Sequence, residues 1–175
     1  MFTDPESNIE SFGLEPGMKV ADMGAGSGFY SIAASKAVGE TGKIYAIEVQ
    51  KELLAKIKND ADRVGATNID YIWADIEILN GCRIATRSVD AVFLTNTLFQ
   101  VEDKMGTLHE AFRIIKPKGR ILLIDWEDSF GGMGPQQSAV ITKEKAKSML
   151  EEAGFIFDRE FNPGEHHYAL IMKKP

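Results

Sequence analysis

Val20-Ala21-Asp22-Met23-Gly24-Ala25-Gly26-Ser27-Gly28 decides the fold of this 175-residue chain. Met18 to Met23 reads as a short buried strand, and the run Phe29 to Val38 as the helix that follows it. Between them, three glycines at every second position force a tight turn. Glycine tolerates positive φ, and its missing Cβ lets a ligand touch the backbone. Such a turn is expected to set bare N–H groups and a helix N-terminus against whatever binds at the carboxyl end of the strand. Twenty residues after Gly28, the next strand (Lys43 to Ile47) ends in Glu48. That is the spacing at which a carboxylate meets a ribose diol in nucleotide-binding βαβ units.

The glycine spacing bears on which nucleotide. Dinucleotide folds carry G-x-G-x-x-G, whereas here the third glycine arrives one residue early and Asp22 stands two residues before the first. An acid in that place suits a ligand with a cationic amino group better than one with phosphates. The stretch resembles motif I of the class I S-adenosylmethionine-dependent methyltransferases, and the resemblance runs over nearly the whole chain. It implies a Rossmann-like, doubly wound α/β sheet in the order 3-2-1-4-5-7-6 with the last strand antiparallel. Residues 1–175 would form a single methyltransferase domain, with residues 1–16 as an N-terminal helix or lid and 17–175 as the core.

Composition sets the outer bounds. A hydrophobic content of 44% and a charged content of 26% fit an ordinary soluble globular domain. The net charge of −6 argues against a large nucleic-acid footprint. The single cysteine, Cys82, cannot form an internal disulfide. Met1 to Glu10 lacks the basic start of a signal peptide, and no stretch has the apolar length of a membrane span. A cytoplasmic protein that binds no membrane is expected, with no oligomeric state specified.

Taken in order, Asp4-Pro5-Glu6 starts a helix that Gly13 ends, with Ile9 and Phe12 inward. Lys51 to Val64 is amphipathic, with Leu53, Leu54, Ile57, Ala61 and Val64 on one face. Ile69 to Ala74 and Val89 to Leu94 read as strands, and residues 76–88 as loop with at most one helical turn. A helix over Val101 to Ile115, a turn at Lys116-Pro117-Lys118-Gly119 and a strand from Arg120 to Ile124 follow. Residues 127–141, with Gly131, Gly132, Gly134 and Pro135, form an irregular loop that could close the pocket mouth. Thr142 caps the next helix. Phe155 to Phe161 and His167 to Met172 then pair through the turn Asn162-Pro163-Gly164. Alternating strands and helices with a terminal hairpin define the doubly wound α/β class.

The resemblance supplies roles. Gly24, Ala25, Gly26 and Gly28 would hold the methionine part and ribose, Asp22 would sit near the amino group, and Glu48 would take the ribose hydroxyls. Asp75, after the third strand, would accept from the adenine amino group, with Ile76 offering its backbone N–H and Val49 and Trp73 flanking the ring. An acid after a strand also serves as a plain helix cap, and apolar strand ends as plain core. Methyl transfer itself is an in-line displacement from a sulfonium, so the protein's work is alignment, exclusion of water and, for a protonated acceptor, a base.

Candidates for that work are Asn96, Asp125, His166 and His167. Asn96-Thr97-Leu98-Phe99 occupies the place of the family's D/N-P-P-Y/F tetrad but has no prolines, which argues against methylation of DNA bases or glutamine. Asn96 is equally readable as a turn residue, and Asp125-Trp126 as structural. Adjacent strand residues point to opposite faces, so at most one of His166 and His167 can enter the pocket. The pair diverges too much for a metal site without a third ligand from Glu165 or Asp125, and none is expected. Arsenic-methylating relatives rely on several cysteines, so an arsenic acceptor is not expected here.

Leu108 to Arg120 resembles the branch related to quinone methyltransferases. The expected activity is therefore methyl transfer from S-adenosyl-L-methionine to an acceptor, a small molecule by preference. The alternatives are a protein side chain of the lysine type, a non-catalytic cofactor-binding domain, and a dinucleotide oxidoreductase.

Overall fold

Strand β1 (Lys19–Met23) lies between β2 (Lys43–Glu48) and β4 (Val89–Thr95), parallel to both. This computed structural model describes residues 3–175. Met1 and Phe2, the first two positions of the expected lid, lie outside the described residues. With β3 (Ile69–Trp73), β5 (Ile115–Trp126), β6 (Ile156–Phe161) and β7 (His167–Lys173), the sheet runs β3-β2-β1-β4-β5-β7-β6. Only the pairings made by β7 are antiparallel. The order and the antiparallel last strand are those the resemblance implied.

Strand alternation sorts the core onto two faces of the sheet. Val20, Ile44, Ala46, Phe93, Leu122 and Ile124 face α1 (Pro5–Phe12), α2 (Phe29–Val38) and α3 (Lys51–Arg63). Ala21, Met23, Ile47, Val92, Leu94, Ile121 and Leu123 face α4 (Lys104–Ile114) and α5 (Lys143–Glu152). Covering a parallel sheet on both sides is what makes its central strands apolar throughout. The caps agree with the sequence: the Asp4 carboxylate accepts from the Glu6 and Ser7 amides, the Thr142 hydroxyl from Lys145, and Gly13 takes a left-handed φ of 78°. Arg120 spans β5 and the end of α1, donating to the Phe12 and Gly13 carbonyls at 2.8 Å each.

Three local expectations are corrected. Helix α4 starts at Lys104 rather than Val101, because the Asp103 carboxylate caps it through the Gly106 amide. Val64 is exposed just beyond the end of α3 instead of sharing its buried face. The turn at Lys116–Gly119 does not form: α4 runs directly into β5, with a bulge opposite Val89 and Ala91 and Lys118 at φ 67°. The far end of the chain holds this segment in the sheet. Lys118 N–H donates to Lys174 O, and Lys174 N–H to Gly119 O. The Lys174 ammonium closes the C-terminus of α4 by donating to the Phe112 and Ile115 carbonyls.

Residues 76–88 are held without a helix. The fully buried Glu110 carboxylate of α4 accepts from the Asn80 and Cys82 amides and pairs with Arg113 at 2.7 Å. Burial works against its charge, yet these bonds outweigh it and hold the carboxyl below its ordinary range. Replacing Glu110 by Ala strands the buried Cys82 amide, the half-buried Asn80 contact and the guanidinium, so it should cost about 3–5 kcal/mol of unfolding free energy. Urea titration of the two proteins measures the difference; a loss under about 1 kcal/mol would show that the loop holds itself.

Candidate cofactor and transfer cleft

A cleft of about 690 Å³ opens at the carboxyl ends of β1 to β4, where the strand order reverses between β1 and β4. Doubly wound sheets bind their ligands at such a point. Gly24, Ala25, Gly26, Gly28, Glu48, Val49, Asp75, Ile76, Asn96 and His167 all line it. Asp22, Asp125 and His166 do not.

The glycine turn departs from the expectation of bare amides. Gly24 and Ala25 N–H both donate to Ile47 O at 2.9 Å, Gly26 N–H to Glu48 Oε2 at 3.0 Å, and Gly28 N–H to Ala25 O at 2.8 Å. These four donors are used inside the protein, so the loop is not built as a phosphate cradle. Two of the glycines are needed for close packing. A Cβ on Gly24 would lie 2.7 Å from the Thr97 side chain, and one on Gly28 2.6 Å from Ile57. At Gly26 a Cβ would meet nothing nearer than 3.9 Å, so its φ of 53° is what calls for glycine.

Glu48 is buried and accepts three amides, those of Gly26, Val49 and Gln50, at 2.9–3.0 Å. A carboxylate offers about four acceptor positions, so one remains for a ligand hydroxyl. Beneath the glycine turn, Asp22 is 1% exposed. Its Oδ2 accepts the Ser31 hydroxyl at 2.6 Å, while Oδ1 has no partner among the described residues. Burial pushes this carboxyl up to about 6, with the Ser31 bond opposing and the nearby Glu48 charge adding to it. Asp75 is exposed, and its Oδ1 accepts the Glu77 amide, a capping contact. Val49 lines the cleft, whereas Trp73 lies outside the lining, donating to Val49 O with the Lys51 ammonium over its ring.

On the opposite wall, Asn96 sits at φ 53° just beyond β4, and its Oδ1 is buried without a partner among the described residues. Asp125 is buried behind this wall. Its oxygens accept from the Phe99 and Trp126 amides, fixing the loop after β4 to the end of β5. Burial raises it too to about 6, against those amide bonds. The histidines separate, as adjacent residues at a strand end should. His166, at φ 61°, bonds the Asp128 carboxylate at 2.9 Å and stacks on Phe130, away from the cleft. His167 is buried in the cleft wall with its ring 4.2 Å from that of Trp126.

Closure also differs from expectation. Thr3 and Pro5 at the entry to α1 line the cleft, but no residue of 127–141 does. That loop reaches the site indirectly, through Gly134 packed on the Trp126 ring. Asn8 fastens α1 in place by donating to Tyr30 Oη at 2.8 Å and to Pro163 O at 3.2 Å. Ser31, Tyr30, Thr97 and Asn8 were missed by sequence reasoning. Each acts through a partner distant in sequence, and none stands in a local pattern.

Sheet order, glycine turn and acid-lined cleft together define the class I S-adenosylmethionine-dependent methyltransferase fold. The chain belongs to the methyltransferase-domain family, whose model matches residues 14–154. It is 31% identical over 119 residues to a ubiquinone/menaquinone biosynthesis C-methyltransferase, UbiE, of Haemophilus ducreyi, covering 67% of this chain and 45% of that one. An arsenite methyltransferase of Halobacterium salinarum is 26% identical over 155 residues, covering 81% of this chain and 38% of that relative. The chain thus spans less than half the length of these curated relatives. The crystal structure of a SAM-dependent methyltransferase from Aquifex aeolicus superposes with a TM-score of 0.89 at 29% identity, covering 99% of this chain and 91% of that one. The [4+2]-cyclase SpnF shares the fold, with a TM-score of 0.83 at 16% identity, covering 98% and 79%.

Family and fold imply S-adenosyl-L-methionine as the cofactor. The residues present fit it. The unpartnered Asp22 Oδ1 under the turn calls for a donor, and Glu48, Asp75 and Glu77 line a cleft that holds no lysine or arginine among the described residues. Such a lining favours a cationic ligand over a phosphorylated one.

Without ligand, the raised carboxyls make stability pH-dependent. Between about 4 and 6 the folded chain keeps protons on Asp22 and Asp125 that the unfolded chain releases. Stability should therefore fall as pH rises through that window, by roughly 1–3 kcal/mol per group. Asp22→Asn should raise the melting temperature at pH 7 and flatten the pH dependence. Thermal melts from pH 4.5 to 7.5 test this, and an unchanged slope would place Asp22 in water.

Proposed function

We propose that this chain transfers a methyl group from S-adenosyl-L-methionine to a small-molecule acceptor. Asp22, the glycine turn, Glu48, Val49, Asp75 and Ile76 bind the cofactor; Asn96, Asp125 and His167 serve the acceptor side. The observation that carries the reading is the buried, half-paired Asp22 beneath a turn whose amides are already bonded. That floor accepts an ammonium and offers little to a pyrophosphate. The cofactor's chemistry is an electrophilic sulfonium methyl. Glu48 holds the sugar through its remaining acceptor position, and Asp75 receives a base-edge donor at the exposed rim.

On the acceptor side, Asp125 acts at a distance from the reaction by holding both the β4 loop and Trp126. His166, bonded to Asp128, supports the turn from which His167 emerges. The likeness to a quinone C-methyltransferase and an arsenite methyltransferase favours a small acceptor over a protein side chain. The solitary Cys82 is fully buried, and burial pushes its thiol well above the usual range, which speaks against the arsenite reading. We take residues 1–175 to work as one unit with residues 1–16 beside the cofactor. A cytoplasmic setting agrees with the absence, among the described residues, of a helix long and apolar enough to cross a membrane.

S-adenosylhomocysteine should bind with proton release near pH 6, because an ammonium at Asp22 restores its charge; its affinity should rise from pH 5 to 7. Glu48→Ala should weaken binding by about 1–3 kcal/mol through lost charge-assisted hydrogen bonds. Calorimetry in two buffers of different ionisation enthalpy reads both. Label from methyl-labelled cofactor should enter a small-metabolite pool. Heat with NAD and none with S-adenosylhomocysteine would overturn the reading, and labelled protein bands alone would move the acceptor to a side chain.

A further inference from the structure

The cleft wall opposite the glycine turn contains one imidazole whose protonation pattern is fixed by its surroundings. His167 is 5% exposed, and its Nδ1 lies 2.8 Å from the Glu165 carbonyl oxygen. A carbonyl can only accept, so Nδ1 carries the hydrogen. In the neutral ring, Nε2 is then the lone-pair nitrogen, and it has no hydrogen-bond partner among the described residues. A buried acceptor left unpaired is costly, and native structures keep one where a ligand completes it. The Trp126 ring, 4.2 Å away and also in the cleft wall, fixes the plane of the imidazole. Backbone register holds the two together, since Trp126 and His167 are paired across β5 and β7.

We infer that His167 Nε2 is the base that takes the acceptor's proton, and that the acceptor is an uncharged compound methylated at a hydroxyl. This rests on the methyl-transfer reading and deepens it. The step balances. The hydroxyl oxygen's lone pair forms the new O–CH₃ bond, and the S–CH₃ bonding pair stays on sulfur, which becomes neutral. The hydroxyl proton passes to Nε2 and later returns to water. His167 also lines a second, polar cavity of about 430 Å³ with Glu127, Lys143 and Glu160, which offers that proton a route to solvent.

The charges around His167 weigh against cationic and anionic acceptors. Burial lowers its pKa from the ordinary histidine value, and the neighbouring His166 adds to this; the Glu165 bond and Asp128 work the other way. On the β5 side the titratable groups are the buried Asp125 and, just past the strand, the exposed Glu127, and across the second cavity Glu160 and Lys143. A weak base can take a proton from oxygen as the C–O bond forms, because the hydroxyl becomes strongly acidic during attack. It cannot strip an ammonium beforehand, which disfavours a lysine acceptor. Anionic acceptors, carboxylates and phosphorylated compounds among them, meet a cleft lined by Glu48, Asp75 and Glu77 and by no cationic side chain among the described residues.

Two experiments test the inference, the first needing no acceptor. The chain has three histidines, so ¹⁵N-histidine NMR with His109→Gln and His166→Gln for assignment isolates the His167 signals. The expected spectrum at pH 7 is the Nδ1–H tautomer, titrating below 6.5. An Nε2–H tautomer, or an imidazolium at pH 7, overturns the inference. The second experiment follows label from methyl-labelled cofactor into a small-metabolite extract, with wild type and His167→Asn. Label should appear as a base-stable methyl ether, and His167→Asn should slow transfer by roughly 10²–10⁴-fold while binding S-adenosylhomocysteine within about twofold of wild type. Transfer at an undiminished rate, or label found only as methyl ester, thioether, methylamine or C-methyl product, overturns the inference and leaves methyl transfer standing. A chain that binds S-adenosylhomocysteine but labels no pool overturns both.

Discussion

Three successive amides of the glycine turn are fastened to the end of β2, two on the Ile47 carbonyl and one on the Glu48 carboxylate. Everything else at the site depends on that attachment. It fixes the height of the turn above β1, and so the depth at which Asp22 is buried. It also consumes the donors that would otherwise hold a phosphate, leaving carboxylates to set the polarity of the cleft. The same carboxylate collects the Val49 and Gln50 amides where α3 begins. One side chain thereby ties the turn, the strand end and the next helix into a single rigid corner. Preorganisation of this kind keeps ordering costs out of ligand binding.

The two carboxyls raised to about 6 stand on opposite sides of the cleft but differ in kind. Asp125 accepts amides on both oxygens and serves as an internal fastening, joining the loop after β4 to β5. Asp22 has one oxygen bonded and one without a partner among the described residues. A carboxylate in a residue only 1% exposed is a cost that core packing could remove with an apolar residue. Its position under the glycine turn therefore distinguishes it from the carboxylates at the more exposed rim of the cleft. Asp75 illustrates the contrast, because its capping contact with Glu77 would satisfy it with or without a ligand.

The fold was legible because its determinants are local and periodic. Apolar strands, glycine stops and caps such as Asp4 and Thr142 each act within a few residues of themselves. The placing of the glycine turn and Glu48 on one cleft, with Asp22 beneath the turn, was legible for the same reason, since they stand at fixed intervals along one βαβ unit. What escaped reading acts between elements. Ser31 matters through Asp22, Thr97 through Gly24, and Asn8 through Tyr30 and Pro163. The continuous passage from α4 into β5 escaped for a related reason. Lys116-Pro117-Lys118-Gly119 has good turn composition, but Lys174, at the far end of the chain, pairs with Lys118 and Gly119 and draws the segment into the sheet. Local propensity yields to a ladder hydrogen bond that only the assembled sheet provides.

The cleft wall at β4, β5 and β7 follows a different logic from the glycine-turn wall. SpnF shares this architecture at 16% identity and is a cyclase, so the sheet alone does not dictate the reaction. The differences must sit where the sheet tolerates them, at the carboxyl ends of β4 and β5 and the start of β7. Here those positions carry two non-glycine residues in left-handed conformations, Asn96 and His166. Such backbone is costly and persists only when its surroundings impose it. At Asn96 the imposition comes from the amide bond to Ile124, and at His166 from its carbonyl bond to the Glu127 amide. Both bonds run to β5 or its immediate continuation. The end of β5 therefore fixes the backbone at Asn96 on the cleft wall and at the turn before His167, just as the end of β2 fixes the glycine turn opposite. Chemistry can then change at one edge while the nucleotide corner stays as it is.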